Sequence, residues 1–255
     1  MIWGGKRGQV TIFIILGLLF IVILAILFLL FRGVEPTINT ADEENPQQYI
    51  DSCVGDAVEE AVEILMRQGG YLEPTNFKLY GNEKLPYLCY TRNYYEKCIN
   101  QEPMLIEHLE KEITFYIKPK IEGCFVGLKT GLEKKSYEVT MGDLELDTDM
   151  TTGRIFVDVN NSFKMVKGGR IDEFEKFEVE VSHPLYDLAI VALEVVNQEA
   201  QFCNFEYLGY MIFYPDYDIR KFTTGDDVKI YTLRDLQSGK EFKFAIRSCA
   251  PRHGL

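Results

Sequence analysis

The sequence predicts an α+β domain held behind an N-terminal transmembrane helix. Three observations carry this. Val10 to Phe31 is a run of 22 residues with no charge, 19 of them Leu, Ile, Val or Phe. Two later stretches repeat apolar residues every three or four positions, as amphipathic helices do. Between Ser136 and Ser182 the period drops to two, the signature of half-buried strands. Helices before and within a run of antiparallel strands define the α+β class.

The uncharged run comes first. At a helical rise of about 1.5 Å per residue it reaches roughly 33 Å, enough for a hydrocarbon core of about 30 Å. Its only polar side chain is Thr11. A buried helix of a water-soluble core would keep a polar edge. Residues 10–31 are therefore expected to sit in membrane lipid, with 1–9 as a short cytoplasmic or cleaved leader. Lys6 and Arg7 precede the run and Arg32 alone follows it before Glu35, Asp42, Glu43 and Glu44. Two basic residues against one place the N-terminus in the cytoplasm and everything after residue 31 outside it. A cleaved secretory signal is disfavoured, because its apolar region is shorter and ends in a small-residue site.

Residues 32–47 contain Gly33, Pro36, Pro46 and an acidic patch, and read as an exposed linker. The ectodomain is expected over 48–255. Its hydrophobic content, within a chain that is 47% hydrophobic and 13% aromatic, excludes extended disorder. Net charge is −12, and the first 32 residues carry three basic and no acidic side chains, leaving −15 on the rest. Such a surface excludes nucleic acid, whose phosphates require Lys and Arg clusters, as a partner.

Gln48 to Gln68 is expected to form the first amphipathic helix, stopped by Gly69-Gly70. A hairpin follows, Phe77–Tyr80 and Leu85–Tyr90, turning at Gly81-Asn82. A second helix spans Pro103 to Gly123, with Pro119 expected to kink or divide it. Four strands in meander order are expected over 136–182, with Asn160-Asn161 as a tight turn. Pro184 to Ala200 is a broadly apolar helix with Pro184 at its first position. Met211 to Tyr214 is a short strand. Val228–Leu233 and Glu241–Ile246 close the chain as a hairpin across Arg234 to Lys240.

All six cysteines follow the uncharged run, which suits an oxidising compartment and up to three disulfides. Six cysteines allow 15 pairings, and spacing does not choose among them. The favoured set is Cys89 with Cys98 as a local loop, Cys53 with Cys124 between the two helices, and Cys203 with Cys249 at the C-terminus. Ordinary buried thiols are the competing reading.

Sites for chemistry are sparse. Asp147, Asp149 and Asp158 echo a calcium loop, but Thr152 occupies the position that needs glycine, so a solvated hairpin turn is expected instead. Asp216, Asp218, Asp226 and Asp227 are read as turn residues. The chain has no Cys-x-x-Cys pair, nucleophile elbow, phosphate loop or His-Glu-x-x-His motif. No metal or other cofactor is expected. Ser182, His183 and Asp187 resemble a triad fragment, yet their place at a helix entrance favours capping. Tyr87, Tyr90, Tyr94 and Tyr95 are candidates for a binding surface, with core packing favoured over it. Asn160 begins an Asn-Asn-Ser glycosylation acceptor.

The segment Lys6-Arg7-Gly8-Gln9 before the apolar run resembles the class III signal of archaeal type IV pilins. The resemblance implies cleavage between Gly8 and Gln9, with the apolar helix kept on the mature protein. Phe13 departs from the pattern, which often has an acid there, and a plain signal anchor is the other reading. The chain as a whole resembles single-span surface proteins of archaea, a family that supplies a location but no activity. The expected class is a non-enzymatic, extracytoplasmic surface protein with protein partners at the cell surface. The alternative is a ligand-binding or sensory ectodomain working through a membrane partner.

Overall fold

The computed structural model describes residues 15–17, 19, 20 and 45–252. The chain divides into two units, Met1–Ala41 and Asp42–Leu255. Residues 15–17, 19 and 20 are helical. The remainder of the expected span 10–31, the processing candidates Gly8 and Gln9, and the linker up to residue 44 lie outside the described residues. Among the described residues no helix is long and apolar enough to cross a membrane.

Helix α1 spans Pro46–Arg67, beginning two residues before the expected start. Asn45 and Pro46 belong to a helix entrance, where the linker reading placed them in irregular chain. The Asn45 side chain accepts a bond from the Gln48 amide, and Pro46 has no amide to leave unpaired. Ile50, Val54, Val58, Ala61 and Leu65 form its buried stripe. The chain then turns through Gly69 and Gly70, both at positive φ.

The expected hairpin is present as β1 (Phe77–Tyr80) and β2 (Glu83–Tyr90), followed by the two-residue β3 (Ile99–Asn100). Helix α2 spans Leu105–Lys134, eleven residues beyond the expected end. Leu105, Leu109, Ile113, Ile117 and Ile121 mark a four-residue ridge that continues through Leu128 and Leu132. Pro119 neither ends nor divides α2, because it lies on the exposed face, where water can serve the carbonyl it leaves without a donor.

Strands β4 (Glu138–Met141), β5 (Glu145–Thr151), β6 (Arg154–Lys167) and β7 (Arg170–Ser182) form one sheet. The order is not a simple meander. The long β6 pairs with β5 and β4 along one side and with β7 along the other. Asn160-Asn161 is not a turn: β6 runs through it with a bulge, and the reversal comes at Gly168-Gly169. Alternation continues on both sides of those asparagines, so the ladder overrides their turn preference.

Helix α3 is Leu185–Phe202, with Pro184 as its cap rather than its first residue. Met211 to Tyr214 is not a strand, since Met211 to Phe213 belong to the short helix α4 (Tyr207–Phe213). The strand lies just beyond it, as β8 (Tyr217–Thr223). β9 (Lys229–Asp235) and β10 (Glu241–Arg247) make the expected terminal hairpin. That hairpin does not stand alone. β10 pairs in parallel with β2, giving a second sheet in the order β1-β2-β10-β9-β8, with β3 on β2. One continuous core joins both sheets to α1, α2 and α3, with Phe125 and Phe177 edge to face at 5.4 Å in its centre.

Gly69 is fixed by two independent constraints. Its φ is +52°, and an added Cβ would lie 2.6 Å from Pro86 Cγ and 3.0 Å from the Lys243 carbonyl. Gly81 has φ +60° but open space around it. Gly81→Ala should therefore cost only the left-handed strain, about 1 kcal/mol. Gly69→Ala should cost at least about twice that, read from chemical unfolding of the two variants; equal losses would contradict the close approach.

Candidate functional site

Among the described residues a broad depression runs between α2 and the outer edge of β5. It encloses about 1050 Å³ and is lined on the helix side by Glu107, Lys111, Phe115, Lys118 and Glu122, and on the strand side by Asp147 to Asp149. The amphipathic pattern of α2 explains the helix side. The ridge from Leu105 to Ile121 is buried, so these residues occupy the solvent face. Phe115 is 77% exposed and Met104, at the groove's end, is 59% exposed. The lining of the depression is mostly apolar and open to water.

Two links hold the groove walls together. Glu110 Oε1 accepts a 2.9 Å bond from the Met150 amide on the outer edge of β5. The Thr114 hydroxyl is bonded to Thr148 Oγ1 at 2.8 Å. Partial burial raises the Glu110 pKa, with the Met150 amide opposing and Asp149, Glu107 and Asp147 adding to the rise.

A second polar constellation is fully enclosed. Glu199 on α3 has no exposed surface. Its carboxylate accepts from Lys229 Nζ on one oxygen and the Tyr231 hydroxyl on the other, both from β9. Lys229 also donates to the Cys203 carbonyl, and the Ser248 hydroxyl bonds to the Glu199 carbonyl at 3.1 Å. Burial, followed by the Glu199 charge, pushes the Tyr231 phenol up. This cluster joins elements, and among the described residues it lies apart from the depression beside α2. Glu199 carries a signal in the sequence, being the one acid on the apolar stripe Leu185, Leu188, Ala192, Val195, Val196.

The cysteines fall into the three favoured pairs. Cα–Cα distances are 6.4 Å for Cys53–Cys124, 5.4 Å for Cys89–Cys98 and 5.8 Å for Cys203–Cys249. His183 is buried, and its Nδ1 accepts from the Leu185 amide at 3.1 Å, capping α3. Asp187 instead accepts from the Gly153 amide at 2.8 Å, so these residues are used in joining α3 to the β5–β6 turn.

Asp147 and Asp149 lie in β5 rather than in its turn, and Asp147 faces Asp158 across the ladder. Lys176 reaches Asp158 at 3.1 Å. No group of three or more His, Cys, Asp or Glu is placed to hold a metal among the described residues. Asp216 precedes β8, while Asp218 lies within it and pairs with Arg220 at 2.7 Å. Asp226 is bonded to Lys78 at 2.6 Å, and that contact holds its carboxyl below the usual range.

Tyr87 and Tyr90 are half-buried and Tyr94 and Tyr95 exposed. They surround the C-terminal strand: Arg247 stands 5.2 Å from the Tyr94 ring and 6.0 Å from Tyr90. Asn160 is exposed on β6, whereas Asn161 is buried and donates to the Gly142 carbonyl at 3.0 Å. No local sequence pattern announces the groove, because it depends on which strand lies at the sheet edge. Comparison with family models, curated proteins and solved structures returns no match to this chain.

His183 supplies a pH prediction. Burial, with Lys240 nearby, lowers its pKa from 6.5 to about 4 in the fold, with Asp235 opposing. The unfolded chain then binds the proton more readily, so this residue's contribution is complete above about pH 6.5 and lost as pH falls toward about 4. Between pH 7.5 and 4.5 the loss is about 2 kcal/mol. Urea unfolding of His183→Gln should show an acid-induced drop smaller by that amount; an unchanged drop would exclude His183 as its source.

Proposed function

We propose that the chain is a single-pass, membrane-anchored surface protein whose domain faces the extracytoplasmic side, with a non-enzymatic role in adhesion or cell-envelope assembly. One juxtaposition carries this reading. An uncharged run long enough to cross a bilayer precedes a domain whose six cysteines all lie in disulfide pairs. Disulfides persist in oxidising compartments, which supports a domain on the far side of the membrane from Lys6 and Arg7. Ile15, Leu16, Leu19 and Phe20 are helical and each more than half exposed, as suits contact with lipid. The acidic outer surface suits a solvated domain.

The pilin-like segment adds a narrower form of the proposal, in which cleavage after Gly8 yields a filament subunit beginning at Gln9. The second reading, a ligand-binding or sensory ectodomain acting through a membrane partner, is favoured by the groove beside α2. In both readings residues 10–31 contact membrane lipid and the partners are proteins at the surface.

Carbonate extraction tests the anchor. The chain should stay with the membrane pellet, and Leu16→Arg with Leu19→Arg, costing about 5 kcal/mol or more near the bilayer centre, should release it. Release of the unaltered chain would overturn the anchor. Alkylation of the denatured, unreduced protein should leave all six cysteines unmodified; tagging of all six would remove the topological argument. A mature mass beginning at Gln9 selects the pilin-like form, and one beginning at Met1 or Ile2 excludes it.

A further inference from the structure

β5 pairs with β6 along Glu145–Thr151, and among the described residues no strand covers its other side. In an antiparallel ladder alternate residues turn both backbone polar groups away from the partner. The Met150 amide points outward, since it donates to Glu110. Thr148, which lines the groove, shares that parity, and so does Leu146 farther along the same edge. An open edge of this kind is a template for a further strand.

The groove supplies matching chemistry on both faces of such a strand. Asp147 and Asp149 are exposed on the side of β5 opposite Thr148, whose side chain is buried against Thr114. Basic side chains on an added strand would stand beside them. The intervening side chains would point toward α2, where Phe115 and Met104 leave apolar surface open. Pro119 adds a further acceptor. Having no amide, it leaves the Phe115 carbonyl without its helical donor on the same exposed face.

Charge selects the occupant. Glu107, Glu110, Glu122, Asp147 and Asp149 line the groove with Lys111, Lys118 and Lys120, and Lys120 is already paired with Glu60 at 2.8 Å. A second copy of β5 is a poor occupant, since its own Asp147 and Asp149 would stand against these, and like charges directly opposite are destabilising. We infer that this groove binds an extended segment of a partner protein in which basic and apolar residues alternate, adding it as a strand to β5. This goes beyond membrane anchoring, and either can fail without the other.

The test uses the full chain in detergent micelles and a fluorescent seven-residue peptide alternating Lys and Val, with a Glu–Val counterpart. Anisotropy should show saturable binding of the Lys–Val peptide, weakened by added salt, and at least tenfold weaker binding of the Glu–Val peptide. The double variant Asp147→Asn with Asp149→Asn, which alters only exposed side chains, should weaken binding at least tenfold, and Phe115→Ala at least fivefold. Hydrogen exchange at the Leu146 and Thr148 amides should slow on binding. Absence of saturable binding to 1 mM, equal affinity for the two peptides, unchanged affinity in the variants, or exchange protection elsewhere would each overturn the proposal.

Discussion

The buried carboxylate of Glu199 is the contact on which the assembly of this domain depends. An unpaired ion at that depth would cost several kcal/mol, and a pair offsets the cost only when its remaining hydrogen-bonding capacity is filled. Lys229 and Tyr231 satisfy one oxygen each, so α3 must meet β9 in one register. The same turn of helix reaches the C-terminus through Ser248, which also accepts from the Cys98 amide at 3.2 Å. The Cys203–Cys249 and Cys89–Cys98 disulfides lie on either side of this junction. Helix, strand pair and terminal segment are thereby held in one arrangement.

That junction gives the second sheet a fixed relation to the helices, and a different device fixes the helices to each other. Cys53–Cys124 closes a sequence separation of 71 residues between α1 and α2. In the chain-entropy treatment a loop of that length contributes about 4 kcal/mol. With its apolar ridge packed and its middle covalently tied to α1, α2 is a rigid wall. The groove therefore has one side built from a braced helix and the other from a strand edge clamped by Glu110 and Thr148. Such a site is pre-formed, which lowers the ordering cost of receiving a flexible segment.

Much of this architecture is legible in the sequence. The stripes of α1 and α2, the alternation of β5 to β7, and the terminal hairpin follow from local period alone. The Cys53–Cys124 pair follows once the two helices are recognised as packing partners, whereas spacing alone leaves the other four cysteines open to three pairings. What local pattern misses has identifiable causes. α4 is seven residues long, too short for its period to show, and its Met-Ile-Phe-Tyr end reads equally well as a strand. β8 begins beside Asp216 and Asp218, whose turn preference masks the alternation behind them. The parallel pairing of β2 with β10 joins Tyr87 to Ala245, a separation no local window spans. The groove is hidden for the same reason, since edge position is a property of the sheet and not of β5. Glu199 is legible by position alone, as an acid on an otherwise apolar stripe.

The central claim is that the Glu199–Lys229 contact acts as a unit, and a double-mutant cycle measures this directly. Glu199→Gln and Lys229→Met should each destabilise the domain by about 3 kcal/mol or more, because each leaves a buried partner uncompensated. The double variant should lose much less than the sum of the two, giving a coupling energy of at least about 1 kcal/mol. Additive losses, each below about 1 kcal/mol, would show that this buried pair does not hold α3 against the second sheet.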